Sequence, residues 1–561
     1  MLRKLIYTFS FLVLRSFCVV GFLFTFSLLL GQYVPTHLSH TGIYDFMDEL
    51  ATTQVIDLNT SLKPYSRKLI AEKLQIAATK QEELSARQKH ELDFYLKDYS
   101  KASSSVALAK EEPNTAFFWL NKPDHQRLDF FHYRDSSFQL TVNPILGTDT
   151  WVNTNGFFYH WWNGVETHAT KGNFALFASL RDNHESLGLT NRDFMNQRIG
   201  ASNIKGSFAG KRDYWEIRAG VTYAWDWGHI GLLMDQFSWG DASNGSNIFS
   251  GRTPAFTRLD LQMNPAKWLQ FNYVHGWLVS EVVDSTLSFW VNNAYGSEYR
   301  EVYHPKYMAA NMFTFEPFKR FHLAVGNSII YDARSPHAAF FVPVMFWKAL
   351  DHTLNARIDN MNSQLFFTAS SRNLKGFHFY TSIFIDEVQV ARIFNPDDHN
   401  PVSYKFGLST NRIKNTNFIL EYTWSNTLIY RHYVPTTTFE SNMYNLGHFL
   451  EDNAQDIYVA LEYKPLRTLK LKGYYNYALK GPDHTLLGTT PRTTMPLFDP
   501  IVWESTRIGL SASMQVINDL YLRLGYEWRN VSGDQDMMDM WTPEVYHGQT
   551  GTVNVGVNYG F

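Results

Sequence analysis

Thr552-Val553-Asn554-Val555-Gly556-Val557-Asn558-Tyr559-Gly560-Phe561 closes the chain with small or polar residues alternating with apolar ones. Period-2 alternation is the signature of a strand with two unlike faces. Here the apolar row (Val553, Val555, Val557, Tyr559, Phe561) continues to an aromatic at the last position, whereas a soluble chain usually frays there. The pattern therefore points to the final strand of a transmembrane β-barrel, with the apolar row toward lipid. An ordinary last strand of a soluble sandwich is the alternative to be excluded.

The other end agrees. Arg3 and Lys4 precede an apolar stretch from Leu5 to Leu30 that only Arg15 interrupts, and Gly31 offers a cleavage point, so residues 1–31 read as an export signal. Its length also fits an uncleaved membrane helix. Cys18, the single cysteine, lies within it and lacks the small residues that a lipoprotein cysteine needs before it. The exported chain is then expected to have no cysteine, hence no disulfide framework and no cysteine metal site.

Beyond Gly31 no apolar run approaches the roughly 18 residues of a spanning helix. The longest, Ala338 to Trp347, contains Pro343. A membrane chain without such helices must close its backbone hydrogen bonds between strands. Aromatic residues at 16% nearly match charged residues at 18%, with 31 Tyr and 16 Trp, as interfacial aromatic girdles require. A net charge of -3 gives no reason to expect a nucleic-acid partner.

Residues 40–100 follow a helical period instead. Ile43, Phe46, Met47, Leu50 and Ala51 share one face; a second helix starts near Ser66 with Leu69, Ile70, Leu74 and Ala77; a third starts at Ser85, where Ser85 and Gln88 have capping-box spacing, and carries Leu92, Tyr95, Leu96 and Tyr99. These make a small helical domain, expected in the periplasm and leaning on the barrel mouth or a partner. Residues 101–136 read as linker and lead-in, and 137–561 as barrel.

In the barrel, short turns recur every 40 to 55 residues: near Lys171 and Lys211, at Asn264-Pro265-Ala266-Lys267-Trp268 and Glu316-Pro317-Phe318-Lys319-Arg320, near Leu374 and Lys414, at Lys464-Pro465-Leu466-Arg467-Thr468, and near Asn518. Eight such turns join sixteen strands; a lead strand from Ser137 to Leu146 and the final strand give eighteen. The expected fold is an all-β transmembrane protein, an antiparallel outer-membrane barrel of 18 strands with an N-terminal α-helical domain and both termini periplasmic.

The long segments between turns, expected outside the cell, hold Trp and Tyr beside Asp, Asn and Arg. Flat aromatic faces cover the C–H side of a pyranose while polar groups pair with its hydroxyls. From 225–255 the candidate saccharide ligands are Trp225, Asp226, Trp227, Asp235, Trp239 and Asp241; from 278–307 they are Trp290, Tyr295 and Arg300. An aromatic girdle would use the same residues. Carboxylate pairs such as Asp226 with Asp235, or Asp397 with Asp398, have no fixed separation, and no H-E-x-x-H or G-x-S-x-G occurs. No enzymatic activity, catalytic residue, cofactor or metal is expected. About 70 helical residues are also too few for a transporter plug. Lumen-facing Arg258, Asp260, Gln262, Arg320 and His322 are expected to pair across the interior and obstruct it.

The chain resembles the Wzi-type capsule assembly proteins. The resemblance rests on Ile43-Tyr44-Asp45-Phe46-Met47-Asp48-Glu49-Leu50, Lys63-Pro64-Tyr65-Ser66-Arg67, Leu84-Ser85-Ala86-Arg87-Gln88, Gly326-Asn327-Ser328-Ile329-Ile330-Tyr331, and the strand from Leu374 into Ile385-Asp386-Glu387. It implies an eighteen-stranded barrel acting as a monomeric lectin that holds capsular polysaccharide at the surface. Its partners would be that polysaccharide, outer-membrane lipid and periplasmic assembly or export machinery. The competing reading is a porin for small solutes.

Overall fold

The computed structural model describes residues 32–99, 101, 129–135, 137–189, 207–208, 211–294, 296–354, 360–387, 400–484, 496–517 and 519–560. The signal-like stretch 1–31, most of 101–136, Tyr295, Asp397, Asp398 and Phe561 lie outside them.

Eighteen strands form a closed antiparallel barrel. They are β1 (Phe138–Asn153), β2 (Gly156–Lys171), β3 (Phe174–Ser186), β4 (Lys211–Trp225), β5 (Gly228–Asp235) and β6 (Phe256–Ala266). Next come β7 (Leu269–Leu278), β8 (Lys306–Phe318), β9 (Phe321–Tyr331), β10 (Met361–Ser371), β11 (Phe377–Ile385) and β12 (Val402–Thr410). The last are β13 (Thr416–Ser425), β14 (Ala454–Leu466), β15 (Leu469–Lys480), β16 (Trp503–Ile517), β17 (Leu520–Gly533) and β18 (Gln549–Tyr559). Closure comes from β18 against β1, from Val553 opposite Val152 to Tyr559 opposite Leu146. That pairing leaves no sheet edge. As the alternation requires, Val553, Val555 and Val557 are exposed on the outward face while Thr550, Thr552 and Asn558 are buried toward the lumen.

Seven of the eight expected short turns lie between consecutive strands at one end of the barrel, here the turn end. The eighth is corrected. Lys211 begins β4 at the opposite, loop end, and the missing short turn is Asp226-Trp227, between β4 and β5. Lys211-Arg212-Asp213 reads as a turn because its charges sit on a strand tip that continues beyond the end of β5; Trp225 and Trp227 read as loop but are interfacial aromatics in edge-to-face contact at 5.4 Å. The lead strand also runs to Asn153, past the expected Leu146, because partners on both sides hold Gly147-Thr148-Asp149-Thr150 extended.

Helices α1 (Thr41–Thr52), α2 (Arg67–Ala78) and α3 (Ala86–Tyr99) form where the sequence places them. Ser66 caps α2 by accepting from the Leu69 N–H at 3.0 Å. The box before α3 closes both ways, Ser85 N–H to Gln88 Oε1 at 2.9 Å and Gln88 N–H to Ser85 Oγ at 3.3 Å. Phe46, Met47, Leu50, Ile70, Leu74 and Leu92 are fully buried in one core. Ion pairs fasten this bundle to the turn end: Arg320 to Asp57 at 2.9 Å, Lys470 to Asp45 at 2.6 Å and Lys464 to Glu91 at 3.6 Å.

Two loops enter the lumen, which holds an apolar core along β6–β11 and polar pairs along the other side, such as Arg507 with Asn476 at 2.9 Å and Arg529 with Glu527 at 2.7 Å. β5 has only 8 residues, so the 236–255 loop turns inward from a short stretch of wall. Its Ser238 and Trp239 pair antiparallel with Lys63 and Leu62 of the helical region, and Gly240 N–H donates to Ser61 O at 2.7 Å. Its far side crosses to the opposite wall, where Ser243 and Asn244 N–H groups donate to Glu421 at 2.5 and 2.9 Å and Lys405 completes the pair at 2.9 Å. Phe237, Trp239, Ile248 and Phe249 from this loop, with Ile429, Tyr430, Phe439 and Leu446 from the 426–453 loop, share one core with lumen-facing Met308, Met312, Ile330, Phe366 and Phe384. Of the residues expected to obstruct the interior, Arg258 is fully buried and pairs with Asp260 at 3.1 Å. Arg320 instead sits in a turn, holding Asp57.

A second loop covers the outside of the wall. On β9, Leu323 and Val325 are exposed on the outward face, yet Asn327, Ile329 and Tyr331 on the same face are buried. The segment 332–354, with α4 (Trp347–Leu354), folds down over them. Asn311 Nδ2 donates to the carbonyls of Pro343 at 2.8 Å and Met345 at 2.9 Å, Trp347 N–H donates to Asn327 Oδ1 at 2.9 Å, and Tyr273 Oη donates to Phe340 O at 2.6 Å. Trp347 packs fully buried against the wall while Val344 and Phe346 face outward.

Candidate functional site

At the loop end, a hairpin stands apart from the barrel sheet. Phe289–Asn293 and Gly296–Arg300 pair as a hairpin within the 279–305 segment, Phe289 opposite Arg300 and Trp290 opposite Tyr299. The two short strands flank a tight connection, and Gly296 there has a φ of 126° that side-chain-bearing residues avoid. Alternation sorts the hairpin into two faces. Trp290, Asn292, Ser297 and Tyr299 share one, with the Trp290 and Tyr299 rings 5.3 Å apart and Ser297 Oγ donating to Asn292 Oδ1 at 2.6 Å. Phe289, Glu298 and Arg300 share the other, where Arg300 pairs with Glu298 at 3.0 Å. Trp290 is 66% exposed, the opposite of a packing role.

The hairpin stands on a stiff base. Val283 bridges Tyr303, Asp284 N–H donates to Val302 O at 2.7 Å, and the Thr286 hydroxyl and amide donate to Asp284 Oδ1 at 2.5 and 2.9 Å. Those bonds, the hydroxyl foremost, hold the Asp284 carboxyl below the usual carboxylate range. An exposed aromatic pair beside an amide and a hydroxyl suits a ligand with flat apolar faces and many hydroxyls.

The structure divides the nine candidate ligands. Trp290 and Arg300 are on this hairpin, on opposite faces, and Tyr295 lies outside the described residues. Asp235 is buried, gripped by Arg218 at 2.6 and 3.1 Å, with Arg258 donating to its carbonyl. Asp241 is buried and accepts from Thr60 Oγ1 at 2.5 Å, tying the inward loop to the helical region. Trp239 is buried in the lumen core. Trp225, Asp226 and Trp227 are at the turn end, away from the loops that the reading assigned to them. Trp225, Asp226 and Trp239 do share a place there, a cavity between the wall and the helical region. Composition does not separate these fates, since lumen core, girdle and exposed hairpin all use Trp and Asp; the β-prone run Phe289-Trp290-Val291 followed by Asn292, Asn293 and Gly296 is the available signal for the hairpin. Among the described residues no three His, Cys, Asp or Glu side chains are grouped as metal ligands.

No protein-family model matches the chain, and no curated protein matches its sequence. Among solved structures it is similar to Wzi, described as an outer-membrane protein involved in group 1 capsule assembly in Escherichia coli and a carbohydrate-binding β-barrel, at a TM-score of 0.55 and 12% identity over 95% of this chain and 100% of that one. OprD of Pseudomonas aeruginosa matches at a TM-score of 0.38 and 10% identity over 75% of this chain and 94% of that one. OccAB4 of Acinetobacter baumannii matches at 0.42 and 11% over 76% and 98%. The likeness to Wzi shows the outer-membrane β-barrel fold.

Proposed function

We propose that this chain is a monomeric, non-enzymatic lectin of a Gram-negative outer membrane, related to the Wzi-type proteins, that binds a capsular or other surface polysaccharide and keeps it attached to the cell. The loop end faces outward and the turn end with its helical bundle faces the periplasm, as barrels with short turns on one side are arranged. There the bundle docks assembly or export machinery. The observation that carries the reading is the solvent-facing Trp290, Tyr299, Asn292 and Ser297 face, mounted on a barrel whose lumen is entered by two loops that pack an apolar core along β6–β11. The two loops inside the lumen also oppose the porin reading, because a diffusion channel needs a continuous water-filled path.

The test is retention of polysaccharide purified from the producing strain, compared with a Trp290→Ala, Tyr299→Ala variant. Loss of two ring contacts is expected to weaken binding by about tenfold or more. Trp227→Ala, at the turn end, is expected to bind like the parent. Equal binding by the hairpin variant would remove the hairpin as the site; no binding by the parent would remove the lectin reading.

A further inference from the structure

Where the helical bundle meets the turn end lies a cavity of about 610 Å³, within the size range of small-molecule sites. Part of its wall is a patch of lumen-facing polar side chains near the turns: Gln262 lies opposite Asn272 across β6 and β7, and Thr314 follows on β8. Tyr65, from the loop before α2, faces them across the space. Three buried polar atoms of this lining, Tyr65 Oη, Asn272 Nδ2 and Thr314 Oγ1, have no hydrogen-bond partner in the protein. Tyr65, Asn272 and Thr314 are 2%, 7% and 3% exposed, so bulk water does not solvate them freely. One such group has a local explanation; several converging on one space mark a site built to hydrogen-bond something.

The lining also selects the ligand. Lys63, Lys68, Lys73 and Lys267 stand against Asp57, Glu72, Asp226, Asp260 and Glu316, so no net field favours a strongly charged guest. Aromatic rings alternate with amides and hydroxyls that donate and accept, which matches a ring bearing several hydroxyls. Exposed Asp226, Asn264 and Lys267 rim the cavity at the turns, giving access from that side.

We infer that this cavity is a second carbohydrate site, taking one segment of an uncharged pyranose chain from the periplasmic side. It is separate from the loop-end hairpin and stands whether or not the hairpin binds sugar. Two sources supply that chemistry: a surface polysaccharide on its way outward, and the glycan strands of the cell wall.

The test uses the full chain in lipid nanodiscs, carrying Trp290→Ala and Tyr299→Ala so that the hairpin contributes nothing. Binding is measured by titration calorimetry with two probes: size-fractionated oligosaccharides from the strain's surface polysaccharide, and the N-acetylglucosamine hexamer. Thr314→Val and Tyr65→Phe keep side-chain shape while deleting one hydroxyl each, and together they are expected to weaken binding by about tenfold. Binding of either probe or both, weakened by the paired variant, supports the site and names its source. No binding of either probe, or binding unchanged by the paired variant, overturns it.

Discussion

Asn311 and Asn327 point outward from the middle of β8 and β9, where neighbouring outward residues are apolar, and are tolerated because the 332–354 segment supplies their partners. Replacing Asn311 by Leu leaves the Pro343 carbonyl without its donor and leaves Met345 O with only the longer bond from Asn327 Nδ2 at 3.4 Å, which costs about 1–3 kcal/mol for buried groups. The expected readout is a lower urea midpoint of the refolded protein, with the segment cut faster by protease than in the parent. Asp235 differs in kind. It balances the buried Arg218 guanidinium, so Asp235→Leu exposes a buried cation and should cost roughly 3–5 kcal/mol. A midpoint unchanged by Asp235→Leu would show that this pair does not anchor the inward loop.

At the scale of elements, the bundle and the inward loop depend on each other. Trp239 lies in the lumen core and extends the pairing with Leu62 and Lys63, so Trp239→Ala should lose about 3–5 kcal/mol and loosen both partners. Amide exchange is expected to rise in 57–66 as well as in 236–255; a rise in the loop alone would contradict the pairing. The ion pairs at the turn end allow a reciprocal test. Asp45→Lys beside Lys470 should speed proteolysis of residues 41–99, and the further change Lys470→Asp should restore resistance. That restoration separates docking from damage to the helix, because the second change lies on β15.

For the whole molecule, the closed sheet and the two loops that cross the lumen predict little conductance in planar bilayers. Replacing residues 240–249 with a short Gly/Ser linker removes Ile248 and Phe249 from the core and the contacts to Glu421, and is expected to open a measurable channel. Large stable conductance from the intact protein would mean that the loops leave the lumen in a membrane.

The alternation from Thr552 to Tyr559, the absence of long apolar runs after residue 31, and the spaced turns determined a barrel of eighteen strands from sequence alone. Each signal is local: period 2 follows from strand geometry, and lipid on one side fixes which residues recur. The helix starts at Ser66 and Ser85 were legible for the same reason, since a cap needs only its own first turn. What the candidate residues do was decided by the tertiary structure. Trp239 and Trp290 both look like exposed loop aromatics, yet one is 4% and the other 66% exposed, because the first loop leaves a short stretch of wall and enters the lumen while the second folds on itself outside. Burial depends on which segments meet across the barrel, and the pairing of Trp239 with Leu62 joins positions far apart in the chain that no local pattern links.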